Sequence, residues 1–284
     1  MNVSPAPPRV DVLIPTFARP AALAMTLTAL CAQSLRAFAV RVSDQTGDGS
    51  LAAHGEVTAA VRILRAHGHD VELLEHLPRR GMAEHRQFLL DRCAAPYALF
   101  LDDDVVLEPD MIERLVRALD EARCGFVGSA VIGLSYVDDV RPAQQAIEWW
   151  DGPVQPEVVR PGMPEWRRHL LHNAANLYHV QTALGVPPGK QRLYKVAWVG
   201  GCVLYDADKL RSVGGFGFWR ALPQEHCGEE VLAQTRLMAR HGGAGLIPSG
   251  AYHLELPTTL PHRDVDAPKV LGLEREAAEQ DAAT

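Results

Sequence analysis

Between residues 10 and 132, short apolar runs alternate with longer segments whose apolar residues recur at helical spacing. This order restricts the chain to a small set of α/β architectures. Strands are expected over 10–14, 38–42, 71–74, 97–101 and 126–132, with helices over 21–33, 51–66, 82–93 and 111–122. Pro20 stands where the first helix would begin, and Met111, Ile112, Leu115, Val116 and Leu119 share one face of the last. Such alternation folds as a mostly parallel central sheet flanked by helices, and ligands of open α/β sheets collect beyond the strand ends.

One of those strand ends is unusual. The run Tyr97-Ala98-Leu99-Phe100-Leu101, preceded by Pro96, passes directly into Asp102, Asp103 and Asp104. Carboxylates this close raise one another's pKa unless a cation or several donors compensate. At an effective dielectric near 20, a pair of unit charges about 4 Å apart is worth roughly 4 kcal/mol. A divalent metal engaging the carboxylates and a substrate phosphate would therefore relieve the conflict. Acidic runs after strands also occur as solvated loops or caps of the next helix. Pro109 and Asp110 fit a helix start, which accounts for residues 108–110 but not for 102–104. On the residues alone, both a ligand site and a solvated loop stand.

Composition narrows the ligands. The 284 residues, 47% hydrophobic and 22% charged, suffice for one large or two small domains. A formal net charge of -7 argues against nucleic acid held by a broad basic surface, so any bound nucleotide should be small. Cys31, Cys93, Cys124, Cys202 and Cys227 are odd in number and lack a Cys-x-x-Cys pair, as expected for reduced, mostly buried thiols of a cytoplasmic protein. Residues 1–9 read as a flexible lead without a signal-peptide pattern. No stretch approaches about 18 uninterrupted apolar residues, so no membrane span is expected.

Past residue 132 the alternation breaks. Residues 134–195 carry scattered Pro and Gly, the pair Trp149-Trp150, and an expected helix over 165–183 that includes His169, His172 and His179. His172 and His179 would share a helix face but lack a third ligand at metal spacing, so pocket lining or plain surface is expected. A strand is expected over 197–205, a helix from about Gly228, a short apolar segment over 245–247, and a frayed or disordered tail over 274–284.

Further segments join the aspartates. The first strand runs out through Ile14, Pro15, Thr16, Phe17, Ala18, Arg19 and Pro20, and the second through Ser43 and Asp44. The helix after Arg79-Arg80-Gly81 carries Glu84, His85, Arg86 and Gln87, and Gly214-Gly215-Phe216 and Cys227-Gly228-Glu229-Glu230 follow downstream. In this order the segments resemble the family 2 glycosyltransferases of the GT-A fold, over about residues 10–255 and most densely in 10–110 and 197–235.

The resemblance implies a single GT-A domain over 10–255, with a Rossmann-like nucleotide-sugar-binding half (10–110), an acceptor-binding and catalytic half (111–255), and a C-terminal loop and tail (256–284). It implies a metal-dependent, inverting transfer of sugar from a nucleotide-diphosphate donor, most readily UDP-linked, to an acceptor hydroxyl, with Mn²⁺ or Mg²⁺ as cofactor. Pro15, Thr16 and Arg19 would line the nucleoside site, and Asp44 would accept hydrogen bonds from the base. Asp102 would contact the ribose or nucleotide, Asp103 belongs to the donor site without a defined task, and Asp104 and His253 would bind the metal. Arg80 and Arg86 are candidates for nucleotide-site support or ordinary surface positions. Glu230 would be the base and Glu229 a positioning acid. This pair stands where the family typically has Glu-Asp, which leaves open which acid takes the proton.

The chain also departs from the family pattern, since the second-strand motif often passes directly into a Gly-Ser turn, whereas Gln45-Thr46-Gly47-Asp48-Gly49-Ser50 inserts extra residues here, which could move the base-binding loop. His262, Arg263 and Lys269 lie in a Pro-bearing loop that could close over a diphosphate. The acceptor is expected at residues 134–195, where Trp149, Trp150 and Trp166 offer flat faces or serve as core. Two other classes compete: a nucleotidyltransferase making nucleotide sugars, and a non-catalytic nucleotide-sugar-binding module. The first needs a Gly-rich basic loop after the first strand, and residues 15–20 contain no Gly.

Overall fold

The computed structural model describes residues 7–47, 51–187, 189–260 and 262–271. The tail expected over 274–284 and the first six residues of the lead lie outside them. Among the described residues ten strands form: β1 (Val10–Thr16), β2 (Phe38–Asp44), β3 (Val71–Glu75), β4 (Tyr97–Leu101), β5 (Val105–Leu107), β6 (Phe126–Gly128), β7 (Arg192–Tyr194), β8 (Cys202–Asp206), β9 (Gly243–Ile247) and β10 (Ala251–His253). The helices are α1 (Pro20–Cys31), α2 (Gly55–Ala66), α3 (Met82–Arg92), α4 (Met111–Ala122), α5 (Asn176–Leu184), α6 (Ala207–Ser212), α7 (Glu229–His241) and α8 (Ala267–Val270).

Eight strands make one sheet in the order β3-β2-β1-β4-β8-β6-β9-β7, and β5 pairs with β10 in a separate ribbon. The block β3-β2-β1-β4 is parallel throughout. Period-two alternation sends the two faces of each strand into different cores. Val10, Val12, Ile14, Leu99 and Leu101 pack with α1, α2 and α4 on one side. Leu13, Ala98 and Phe100 pack with α3, α5, α6 and α7 on the other.

Three elements differ from expectation, each for a local reason. The strand expected over 126–132 stops at Gly128, where the chain leaves the ladder after Ser129 N–H donates to the Cys202 carbonyl. The helix expected over 165–183 is two pieces, a 3₁₀ turn over Pro164–His172 and then α5. Ala174 between them has a φ of 49°, and the Asn176 amide donates back to the Leu170 carbonyl, both of which oppose a continuous helix. The strand expected over 197–205 begins only at Cys202, because Gly201 has a φ of 78°. A Cβ there would sit 2.7 Å from Val131 Cγ1, so this break needs a glycine.

β8 runs antiparallel to β4, with Leu101 opposite Cys202. Its start therefore lies at the edge where β1, β2 and β4 end, and Asp102 N–H donates to the Gly201 carbonyl at 2.9 Å. All five cysteines are free. Among the described residues, no helix is long and apolar enough to cross a membrane.

Candidate active site

Parallel pairing brings Thr16 beside Asp44 at the ends of β1 and β2, and β4 delivers Asp102 to the same edge. The ribbon of β5 and β10 sets His253 opposite Val105, directly after the aspartates. Helices α3 and α7 direct their N-terminal turns to this edge. Gly81, before α3, has a φ of 102°, and a Cβ there would meet His226 Cε1 at 2.3 Å. His226 uses that room to accept the Ala83 N–H at 3.1 Å, supplying a cap that α3 lacks from its own sequence. A cavity of about 460 Å³ opens between these elements.

Arg86 is the hub of the cavity floor. Its Nε donates to Glu229 Oε1 at 3.2 Å, and its Nη2 lies 3.1 Å from both Asp102 Oδ1 and Glu230 Oε1. Nη1 is buried and has no hydrogen-bond partner among the described residues. Desolvation opposes the guanidinium charge, but Glu230, Asp102 and Glu229 outweigh it, so the Arg86 pKa is raised. Three carboxylates share one cation, which leaves a local deficit of positive charge. Burial first, then Asp102 and Glu229, raise the Glu230 pKa against the pull of Arg86. A carboxylate so placed is a stronger proton acceptor than a solvated glutamate.

The aspartates divide into separate environments. Asp103 turns inward, accepts from Thr16 Oγ1 at 2.5 Å, and its carbonyl accepts from Thr26 Oγ1 at 2.9 Å. Burial raises its pKa to about 6. Asp104 Oδ2 accepts from Arg19 Nη1 at 2.7 Å and lies 3.4 Å from His253 Nε2. Arg19 also donates through Nη2 to the Pro257 carbonyl, stapling the strand end to the segment after β10. Asp102, with 35% of its side chain exposed, faces the cavity.

Pro15, Thr16, Arg19, Arg86, Asp102, Asp103, Asp104, Glu229, Glu230 and His253 all line this one cavity. Asp44 and Arg80 do not. The Asp44 carboxylate turns onto its own loop, accepting from Thr46 N–H at 2.9 Å, and Gln45 lines the wall in its place. Arg80 points toward the Trp219 ring at 6.0 Å, whereas Arg79 lines the cavity and stacks on Phe17 at 3.6 Å. In the loop beyond β10, Arg263 lines the cavity, but His262 and Lys269 do not. Trp149, Trp150 and Trp166 lie off it too. The first two carry Arg192 and Lys195 over their rings at 3.8 and 4.9 Å.

Sequence reasoning missed Phe17, Trp198 and Gln234. The Phe17–Arg79 stack joins residues far apart in the chain, and Trp198 fell inside the expected strand. Gln234 lies one helical turn after Glu230, a spacing that marks a shared face without revealing what the amide holds.

Metal fit can be tested on the donor set. Among the described residues, no group of three or more His, Cys, Asp or Glu side chains is arranged to hold a metal ion. Asp104 and His253, 3.4 Å apart, offer one carboxylate oxygen and one imidazole nitrogen, two donors of the kind Mg²⁺ or Mn²⁺ accepts. Arg19 now supplies the positive charge at Asp104.

A mainly parallel sheet with an acidic, arginine-bridged cavity at its strand ends defines an α/β protein of the GT-A class. The chain belongs to glycosyl transferase family 2, whose profile matches residues 11–184. Among solved structures it is similar to S. aureus TarS, at 13% identity and a TM-score of 0.53, over 93% of this chain and 38% of that one. It is also similar to TarS 1–349 (12% identity, TM-score 0.51, 93% and 62% covered) and to TarS 1–349 in complex with UDP-GlcNAc (13%, 0.52, 89% and 60%). The chain thus spans less than two thirds of the length of these structures, and at such identity the likeness is one of fold. No curated protein matches the chain.

Proposed function

We propose that the chain transfers a sugar from a nucleotide-diphosphate donor, UDP-linked by preference, to an acceptor hydroxyl with inversion at the anomeric carbon. The observation that carries this reading is Glu230, a carboxylate of raised pKa that faces the cavity and shares Arg86 with the strand-end Asp102. Family membership supports the reaction class, and a nucleotide-sugar complex is known for the similar TarS 1–349.

Glu230 takes the proton from the acceptor hydroxyl as its oxygen bonds to the anomeric carbon. The bond from that carbon to the diphosphate breaks on the opposite face, and the nucleoside diphosphate leaves. A positioned base of this kind contributes on the order of 10² to 10⁴ in rate. Glu229 holds Arg86 from its other edge and so fixes the guanidinium against Glu230 and Asp102. Phe17 and Arg79 form a flat wall suited to a base, and Pro15 and Thr16 shape the nucleoside site. Asp103 holds β1 to the aspartate loop through Thr16 rather than meeting the donor directly. Asp104 and His253 would hold a divalent cation, which when bound neutralises charge developing on the departing diphosphate.

The test is turnover of UDP-sugars with Mn²⁺ or Mg²⁺ by the wild type, Asp104→Ala and Glu230→Gln. Loss of transfer in both variants is expected, and full activity in both would sink the mechanism. Release of pyrophosphate from a nucleoside triphosphate and a sugar phosphate would instead make the protein a nucleotidyltransferase.

A further inference from the structure

The cavity wall beside Glu230 includes residues that the donor chemistry leaves unused. Trp198 lines the cavity together with Gly200, Glu230 and Val231, and a Cβ on Gly200 would lie 3.7 Å from Glu230 Oε2. Trp198 therefore stands two residues before a glycine on which even an added Cβ would reach van der Waals contact with Glu230. His169 stacks on Trp198 with ring centroids 4.6 Å apart and planes within 16° of parallel. Trp166 lies 4.8 Å from Trp198, at a tilt of 46°, and 6.2 Å from His169. These three separations put Trp166 to the side of the indole, not across it from His169. One face of Trp198 is thus packed, and the residue still borders the cavity.

This wall is held rigidly. Gln234, fully buried on α7, donates its amide to the Val199 carbonyl at 2.6 Å and to the Tyr205 hydroxyl at 2.9 Å, and accepts the Val199 N–H at 2.8 Å. One side chain satisfies both backbone groups of the residue after Trp198, and it sits one helical turn beyond Glu230. His169 is fixed in turn by its Nδ1 at 2.6 Å from the Trp166 carbonyl.

We propose that Trp198 is the platform on which the acceptor binds, and that the acceptor is a sugar ring whose hydroxyl faces Glu230. The proposal rests on the glycosyltransferase reading above and adds the acceptor's chemical class. A pyranose has an apolar face of C–H groups and a rim of hydroxyls, whereas the face of an indole is negative and apolar. Stacking the C–H face on Trp198 buries apolar surface and leaves the rim toward the carboxylate. A peptide acceptor would be better served by an open strand edge, and β8, which follows this wall, is paired on both sides by β4 and β6.

The test uses saturation-transfer NMR on the full chain with UDP or GDP and Mn²⁺ present. The ligands are the methyl glycosides of glucose, galactose, mannose and N-acetylglucosamine. At least one glycoside should bind, with transfer strongest from the ring protons of a single face. Trp198→Ala should weaken that binding about tenfold and Trp198→Phe about threefold, with nucleotide affinity held within about twofold in both. If the alanine variant melts far below the wild type, the phenylalanine variant decides, and an unchanged glycoside affinity there overturns the proposal.

The proposal is also overturned if the nucleotide binds but no glycoside does, if Trp198→Ala binds glycosides as the wild type does, or if p-nitrophenol binds as tightly as the sugars. Failure of the wild type to bind either nucleotide removes the glycosyltransferase reading itself, and the platform with it.

Discussion

Two carboxylate groups meet across one cavity, and they are neutralised in opposite ways. At the α7 end, Glu229 and Glu230 share with Asp102 a guanidinium that is only 4% exposed and, among the described residues, reaches no other carboxylate. At the β4 end, Asp104 is met by Arg19, which is 16% exposed and also holds the Pro257 carbonyl of a distant segment. The first arrangement is a buried, fixed cluster in which each partner's loss strands the others. The second is a pairing at the cavity wall, where another cation could replace the arginine. Burial of the bridging cation thus separates the end that must stay assembled from the end that can exchange partners.

The comparison breaks most sharply at Arg86. Arg86→Leu leaves three acids uncompensated and should cost about 3 to 5 kcal/mol of stability, or abolish folding, as read by urea denaturation. A loss under about 1 kcal/mol would show that the cluster is not buried as described. Glu230→Gln should come next, lowering the transfer rate by on the order of 10² to 10⁴ while nucleotide affinity by calorimetry stays near wild type. Equal loss of both would make Glu230 a binding residue rather than the base.

The third expectation concerns pH. A base acts only when deprotonated, and the Glu230 pKa is raised, so kcat/KM should climb with pH through an acid limb lying above the usual carboxylate range. Glu229 is one of the charges raising that pKa. Glu229→Gln should therefore move the limb to lower pH while retaining measurable transfer. If Glu229→Gln abolishes transfer and Glu230→Gln does not, the two acids exchange roles.

Arg19→Ala should have the smallest effect, a stability loss of about 1.5 kcal/mol. It should also tighten binding of Mn²⁺ in the absence of nucleotide, by up to about tenfold, because the competing cation at Asp104 is gone. Weaker Mn²⁺ binding in that variant would place the metal elsewhere.

Much of the first half was legible because its elements are local. The expected strand 97–101 and helix 111–122 match β4 and α4 residue for residue, since a short apolar run and a one-sided helical stripe carry their own boundaries. β5, β7 and β10 were not anticipated. Each is three residues long and exists only because a partner from far along the chain pairs with it. The aspartates, Arg86 and Glu229-Glu230 were legible as a set because their order along the chain follows the strand ends. Asp44 and Arg80 stand beside the cavity lining while their neighbours Gln45 and Arg79 fill its wall, and a one-residue choice at a strand end or before a helix leaves no trace in periodicity.

The Gln234 amide has one more consequence. It fastens the backbone beside Trp198 to the helix that carries Glu230, which ties the placing of the indole to that of the carboxylate. Their separation then acts as a ruler. If an acceptor ring rests on Trp198 as proposed, that ruler selects which of its hydroxyls reaches the carboxylate, and a buried amide outside the cavity lining then sets the linkage position in the product.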